Sequence, residues 1–298
     1  MIFKSFEILS INEIIFRSIV IKLYADDSKI IAQVDTEVEI RTLQSDLDAI
    51  SAWCKTWCMK LNVEKCKVMH IGRNNQKATY FLTTNDSNRL PIFTTLNERD
   101  LGIVFSPDLK FSSQAAHAAS KANSVLGMLK NTFVSRDPII WATLYRTYVR
   151  PHLEFAISVW NPFLKRDKKV LEKVQRRATR LPKPLRGLSY ETRLDNMGLT
   201  TLEMRRTRGY LIQIFKILRG LDIAHLHSGI SWSEPRAGKR PQIRREITSK
   251  NVRHNFFVNR IANTWNQLPD NVVESNSVNE FKSRVDHWFK SRAEMAAS

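Results

Sequence analysis

Apolar and polar positions alternate between two periods along the chain, and the change of period divides it. Val20 to Tyr24 and Ile30 to Val34 are rich in β-branched and aromatic residues, so each predicts a short strand. Asp26-Asp27-Ser28 between them has turn chemistry, giving a hairpin with two carboxylates at its tip. Thr36 and Glu39 stand at capping-box spacing and open a long helix. Its apolar stripe runs through Ile40, Leu43, Leu47, Ile50, Trp53, Trp57 and Leu61. Lys65 to Ile71 predicts a strand, the polar stretch 76–88 a loop with one strand at Tyr80 to Leu82, and Asp100 to Phe105 a further strand. Residues 1–18 show no clean period.

From Ser112 the pattern is helical, beginning with the stripe Ala115, Ala119, Ala122, Val125, Leu126 and Leu129. Asp137-Pro138 reads as an N-cap followed by Pro at the first helical position, and Pro151 should end or kink the helix that follows. Lys165 to Arg180 predicts a basic helix with Val170, Leu171, Val174 and Ala178 on one face. Thr200 and Glu203 predict the start of another helix, running to about Leu218. The segment 228–250, rich in Ser, Pro, Gly and basic residues, predicts a flexible basic linker. Phe256 to Leu268 is helical, Ser277 and Glu280 cap a last helix ending near Phe289, and no order is expected after Arg292. The expected class is α+β: a sheet-bearing region 1–110, a helical region 111–227, then linker and tail helices over 228–298.

Composition sharpens this. At 298 residues and 43% apolar content the chain can bury a good core. Net charge is +18, which points to a polyanionic partner. Residues 1–100 carry 13 basic and 13 acidic side chains, whereas 165–219 carry 16 basic and 5 acidic, so the surplus belongs to the helical region. Three cysteines argue against a disulfide framework. No apolar run reaches the ~18 residues of a membrane span and no signal-peptide layout is visible, so an intracellular protein without a membrane partner is expected.

Two adjacent carboxylates at the end of two apolar strands suit a cation, since unpaired they repel each other and resist burial; the alternative is an ordinary acidic turn. Lys169, Lys173, Arg176 and Arg180 share one helical stripe, with Lys168 and Arg177 beside it, a surface suited to phosphates or simply to solvent. Cys54, Cys58, Cys66 and His70 have tolerable zinc spacing, but the first two lie on a helix that already has a packing stripe, and no zinc is expected.

Tyr24-Ala-Asp-Asp27 between apolar strands resembles the catalytic box of reverse transcriptases. Leu43 to Trp57, Leu61 to Gly72, Glu98-Arg-Asp-Leu-Gly-Ile103, Leu144 to Glu154 and Trp265-Asn-Gln-Leu-Pro269 continue the resemblance in order. Together they resemble the C-terminal part of the polymerase of a jockey-like non-LTR retrotransposon, from about Ile11 to Trp288. The resemblance implies the end of a polymerase palm, a thumb and a C-terminal extension. It implies Mg²⁺ held by Asp26 with support from Asp27, Tyr24 shaping the floor near the primer end, and Lys65 close to the nucleotide as a proton donor to pyrophosphate. It implies a primer-gripping hairpin at Asp100, Leu101 and Gly102, and a basic face (Lys168, Lys169, Lys173, Arg176, Arg177, Arg180) on an RNA template paired with a DNA primer. Ser10-Ile-Asn-Glu-Ile14 resembles the segment just before the box, so the family's earlier carboxylate strand and fingers are expected to be missing. Catalysis by this polypeptide alone is therefore not expected; the alternative is a non-catalytic RNA- or DNA-binding protein derived from the element.

Overall fold

The computed structural model describes residues 2–5, 19–24, 27–224, 226, 229–234 and 240–297. The fold is mixed α+β and divides into two compact units, Met1–Ser113 and Gln114–Ser298. Among the described residues no helix is long and apolar enough to cross a membrane.

In the first unit, β2 (Ile19–Tyr24) and β3 (Asp27–Ala32) form the hairpin, with Tyr24 opposite Asp27. Only Ala25 and Asp26 lie between the strands, so Asp27 and Ser28 begin a strand where turn residues were expected. A strand the aperiodic start of the chain did not announce, β1 (Ile2–Ser5), runs antiparallel to β3 and to β4 (Lys67–Val68). With β7 (Phe93–Thr94) parallel to β4, the sheet order is β2-β3-β1-β4-β7. The stretch expected as one strand from Lys65 instead opens with a 3-10 turn, Val63–Lys65, capped by the Asn62 side chain. β5 (Phe81–Thr83) and β6 (Arg89–Pro91) make a small hairpin, and β8 (Glu98–Asp100) and β9 (Ile103–Phe105) another, where the residue pattern suggested one strand and the resemblance a hairpin at Asp100 to Gly102.

Helix α1 (Glu37–Thr56) covers one sheet face. Both bonds of its capping box form: the Glu39 amide donates to Thr36 Oγ1, and the Thr36 amide to Glu39 at 2.8 Å. Leu43, Leu47, Ile50 and Cys54 pack against Ile30, Val68, Tyr80, Leu82 and Ile92. The last turn deviates from the expected stripe: Trp57 is exposed, and Leu61 reaches the core from the following loop.

The second unit is helical: α2 (Ser112–Thr132), which starts at the boundary, α3 (Pro138–Leu144), α4 (Arg150–Glu154), α5 (Ile157–Trp160), α6 (Lys165–Ala178), α7 (Tyr190–Asn196), α8 (Leu202–Leu218), α9 (Asn251–His254), α10 (Phe257–Asn266), α11 (Asp270–Val273) and α12 (Val278–Ala297). Asp137 caps α3 with Pro138 at its start, as the sequence predicts. Pro151 lacks an amide hydrogen, and the chain absorbs it with one π-turn, Tyr145–Val149, before α4. The cap of α8 is Thr201, not Thr200: its hydroxyl accepts from the Met204 amide. Tyr210, Ile214, Phe215, Ile261, Trp265, Phe281 and Val285 build the core between α8, α10 and α12.

Two expectations for the C-terminal region are corrected. The described residues of 228–250 are docked rather than free: Ile243 is buried, bridges to Trp232 and exchanges hydrogen bonds with the Asn266 amide side chain. Arg240 donates to the carbonyls of Trp265 and Leu268, at 2.9 Å each. The last helix also continues past Phe289 to Ala297, beyond the expected end of order at Arg292.

Candidate functional site

The hairpin tip borders a cavity of about 340 Å³ in the first unit, lined by Tyr24, Asp27, Lys29, Lys65, Asp100 and Leu101 together with Lys22, Leu23, Ser28, Glu98 and Arg99. Three separate stretches that the sequence singled out thus share one space. Asp26, the residue expected to carry most of the chemistry, lies outside the described residues. Tyr24 and Asp27 are exposed, as the end of a sheet requires of side chains beyond the last covered row. Lys65 reaches the cavity from the 3-10 turn, where its amide bonds Asn62 Oδ1 at 3.2 Å and its side chain stays exposed.

Sequence reasoning passed over Lys29. Its ammonium bonds the Asp100 carboxylate and lies 5.5 Å from the centre of the Phe105 ring. Both charged side chains are largely shielded, at 21% and 10% exposure. Burial lowers the Lys29 pKa from the ordinary lysine value, and the Asp27 carboxylate opposes that shift. Lys29 therefore ties the β2–β3 hairpin to the β8–β9 hairpin and sets the width of the cavity. A lysine two positions beyond the paired carboxylates reads as a solvated strand residue. The only available signal was its alternation: it falls on the face opposite buried Ser28 and Ile30.

The β8–β9 hairpin turns through Leu101 and Gly102, both with positive φ, 45° and 84°. Such a turn suits glycine, whereas a leucine there crowds its Cβ against the carbonyl. Leu101 is nonetheless on the cavity wall and half exposed, so the strained turn presents an apolar side chain beside the carboxylates.

In the second unit, α6 buries Leu171, Val174, Gln175 and Ala178, and turns Lys169, Lys173, Arg176, Arg177 and Arg180 outward. Val170, expected on the apolar face, is exposed. Lys168 leaves the basic set: it is half-buried and pairs with Glu203 at 2.7 Å. The helix is fixed by a buried polar knot. Tyr145 donates to Gln175 Oε1 at 2.7 Å, Gln175 donates to the Tyr190 hydroxyl and the Thr200 carbonyl at 2.9 Å each, and Tyr190 donates to Glu172. Burial, with the bond to Glu172, pushes the Tyr190 pKa up. The Arg176 guanidinium carbon lies over the Tyr190 ring, 3.9 Å from its centre, so one cation of the outward row is pre-positioned.

The zinc-type spacing does not converge. Cys54 and Cys66 are buried in the core while Cys58 is exposed after the end of α1. Among the described residues no three His, Cys, Asp or Glu side chains are grouped so as to hold a metal. No family model matches the chain, and no curated protein or solved structure matches it either.

Proposed function

We propose that this chain is the C-terminal portion of a jockey-like non-LTR retrotransposon reverse transcriptase, bearing part of the palm and a helical thumb, and that it holds template–primer duplex without extending it alone. The supporting observation is the cavity that collects Tyr24, Asp27, Lys65, Asp100 and Leu101 from stretches up to 77 residues apart, the ones the resemblance marks as catalytic box, nucleotide-side lysine and primer grip. Asp26 and Asp27 would hold Mg²⁺, whose chemistry in this reaction is to activate the attacking hydroxyl and stabilise the leaving oxygens. The donor set falls short of a full site. The strand beside β3 brings Ser5, not a carboxylate, opposite Asp27. Lys65 would meet phosphate at the cavity wall, and Lys29 would hold the Asp100 hairpin at its working distance.

The second reading, a non-catalytic RNA- or DNA-binding protein, is favoured by the charge. Residues 1–113 carry 14 basic and 14 acidic side chains, so the whole surplus of +18 lies in 114–298, where α6 turns its basic row outward. The deciding experiment is primer extension on an RNA template with an annealed DNA primer, in Mg²⁺ or Mn²⁺, alongside binding of the same duplex. The expected result is salt-sensitive binding with no extension, and a Lys169→Glu/Arg176→Glu variant whose salt slope falls by about 2. Template-dependent synthesis would show that the site is complete. Absence of duplex binding at low salt would sink both readings.

A further inference from the structure

Where α6 ends, three arginines gather around one ring. Arg176 lies over Tyr190, and the Arg193 guanidinium lies 5.6 Å from the same ring centre. Arg193 is only 3% exposed. Its Nε donates to Thr179 Oγ1 at 3.1 Å and its Nη1 to the Leu188 carbonyl at 2.6 Å. Thr179, the C-cap of α6, donates the same hydroxyl to the Arg176 carbonyl. Arg193 Nη2 makes no bond among the described residues and is not one of the sealed, unpartnered atoms of the interior, so it opens to the surface. Burial lowers the Arg193 pKa, and the exposed Arg180 and Arg176 lower it further. Holding the end of α6 accounts for Arg193 Nε and Nη1. It does not account for two more guanidiniums beside it without a counter-ion. None of the three makes an ion pair among the described residues. Glu172, one turn before Arg176, is engaged by the Tyr190 hydroxyl, and Glu191 acts on Arg193 only from a distance.

We propose that Arg176, Arg180 and Arg193 form a discrete site for a phosphate monoester, the 5′-terminal phosphate of a nucleic-acid strand whose backbone then follows the outward row of α6. This rests on the reading that α6 faces nucleic acid, and it assigns that face a strand end. A monoester carries close to two negative charges at neutral pH and three strong acceptor oxygens, which suits three gathered guanidiniums better than the single charge of a diester. The recess favours an end as well. A terminal phosphate projects and can reach Arg193, whereas a diester is flanked by sugars on both sides. Two of the three groups are fixed before any ligand arrives, Arg176 by the Tyr190 ring and Arg193 by Thr179 and Leu188, so little side-chain freedom is lost on binding. From Arg180 back to Lys169 the row covers about 16 Å of helix, the length of roughly five nucleotides along one duplex strand.

Fluorescence anisotropy with the full chain, on one template–primer duplex whose 5′ ends are either phosphorylated or left as hydroxyls, in about 0.15 M salt, tests this. The wild type is expected to bind the phosphorylated duplex about tenfold more tightly. Arg180→Gln and Arg193→Gln should each cut that preference to about twofold or less, whereas Lys169→Gln should weaken both duplexes and leave the preference intact. Equal wild-type affinity for the two duplexes overturns the strand-end site and leaves the basic face of α6 standing; no binding of either duplex removes both. Arg193 is buried, so if its variant does not fold, the exposed Arg180 decides: an unchanged preference in Arg180→Gln refutes the site. A phosphoserine peptide, or inorganic phosphate, that displaces the phosphorylated duplex as well as an unlabelled 5′-phosphorylated oligonucleotide does would assign the site to a protein partner or to free phosphate, and so overturn the proposal.

Discussion

Arg206 is buried in the second unit, and neither of its terminal nitrogens meets an acceptor among the described residues. Burial lowers the pKa of the guanidinium, while Glu172 and Glu203 oppose the shift from a distance. A buried charge held by remote carboxylates alone retains most of its desolvation cost. Methionine fills similar volume, suits a helix interior and carries no charge. Arg206→Met is therefore expected to stabilise the second unit by about 1–3 kcal/mol, read as a shift in urea midpoint. A loss of stability would mean that the guanidinium has a partner. Contrast Arg205 on the same helix, which forms a two-nitrogen bond with Glu154 and so keeps its charge at far lower cost. Nothing in the sequence Met204-Arg-Arg-Thr207 distinguishes these two arginines; only the packing of α8 does.

Among the elements, helix starts were the most legible, because a cap is a local bargain between one side chain and one free amide. Thr36, Asp137 and Ser277 all act as read. The misplacement of the α8 cap by one residue comes from two adjacent threonines, either of which suits the role. Less legible was everything fixed by partners distant in sequence. β1 has no period of its own and is specified by β3 and β4 on either side. The 240–250 segment looks like linker because it docks through the Asn266 and Asn259 side chains, contacts that leave no apolar rhythm. At the site, the sequence marked Tyr24, Asp27, Lys65 and Asp100 but not Lys29, since an ion pair spanning 71 positions has no local signature. The β8–β9 turn permits a test at this scale. Leu101 stands at φ 45°, where asparagine is better tolerated, so Leu101→Asn should raise stability by about 0.5–1 kcal/mol while removing an apolar wall from the cavity. A drop in melting temperature would show that the leucine side chain contributes more by packing than its backbone costs.

For the whole molecule the decisive fact is that charge and sheet are segregated. The first unit has zero net charge and the second carries all +18. Self-repulsion should therefore penalise only the second unit. Raising salt from about 20 to about 300 mM is expected to move one calorimetric transition upward and leave the other nearly fixed. Two transitions shifting in parallel would contradict that separation. The sheet carries a different consequence, for synthesis. Ile2 pairs with Ile30 on one side and with Val68 on the other. β1 is thus an inner strand of the finished sheet. It must wait, unpaired on one side, until its second neighbour is made some 65 residues later, roughly 3–13 s at ordinary rates of translation. During that interval the nascent chain displays an apolar strand with no place to go. A factor that shelters it, or a slower translation rate, should govern how much of this protein reaches its native sheet.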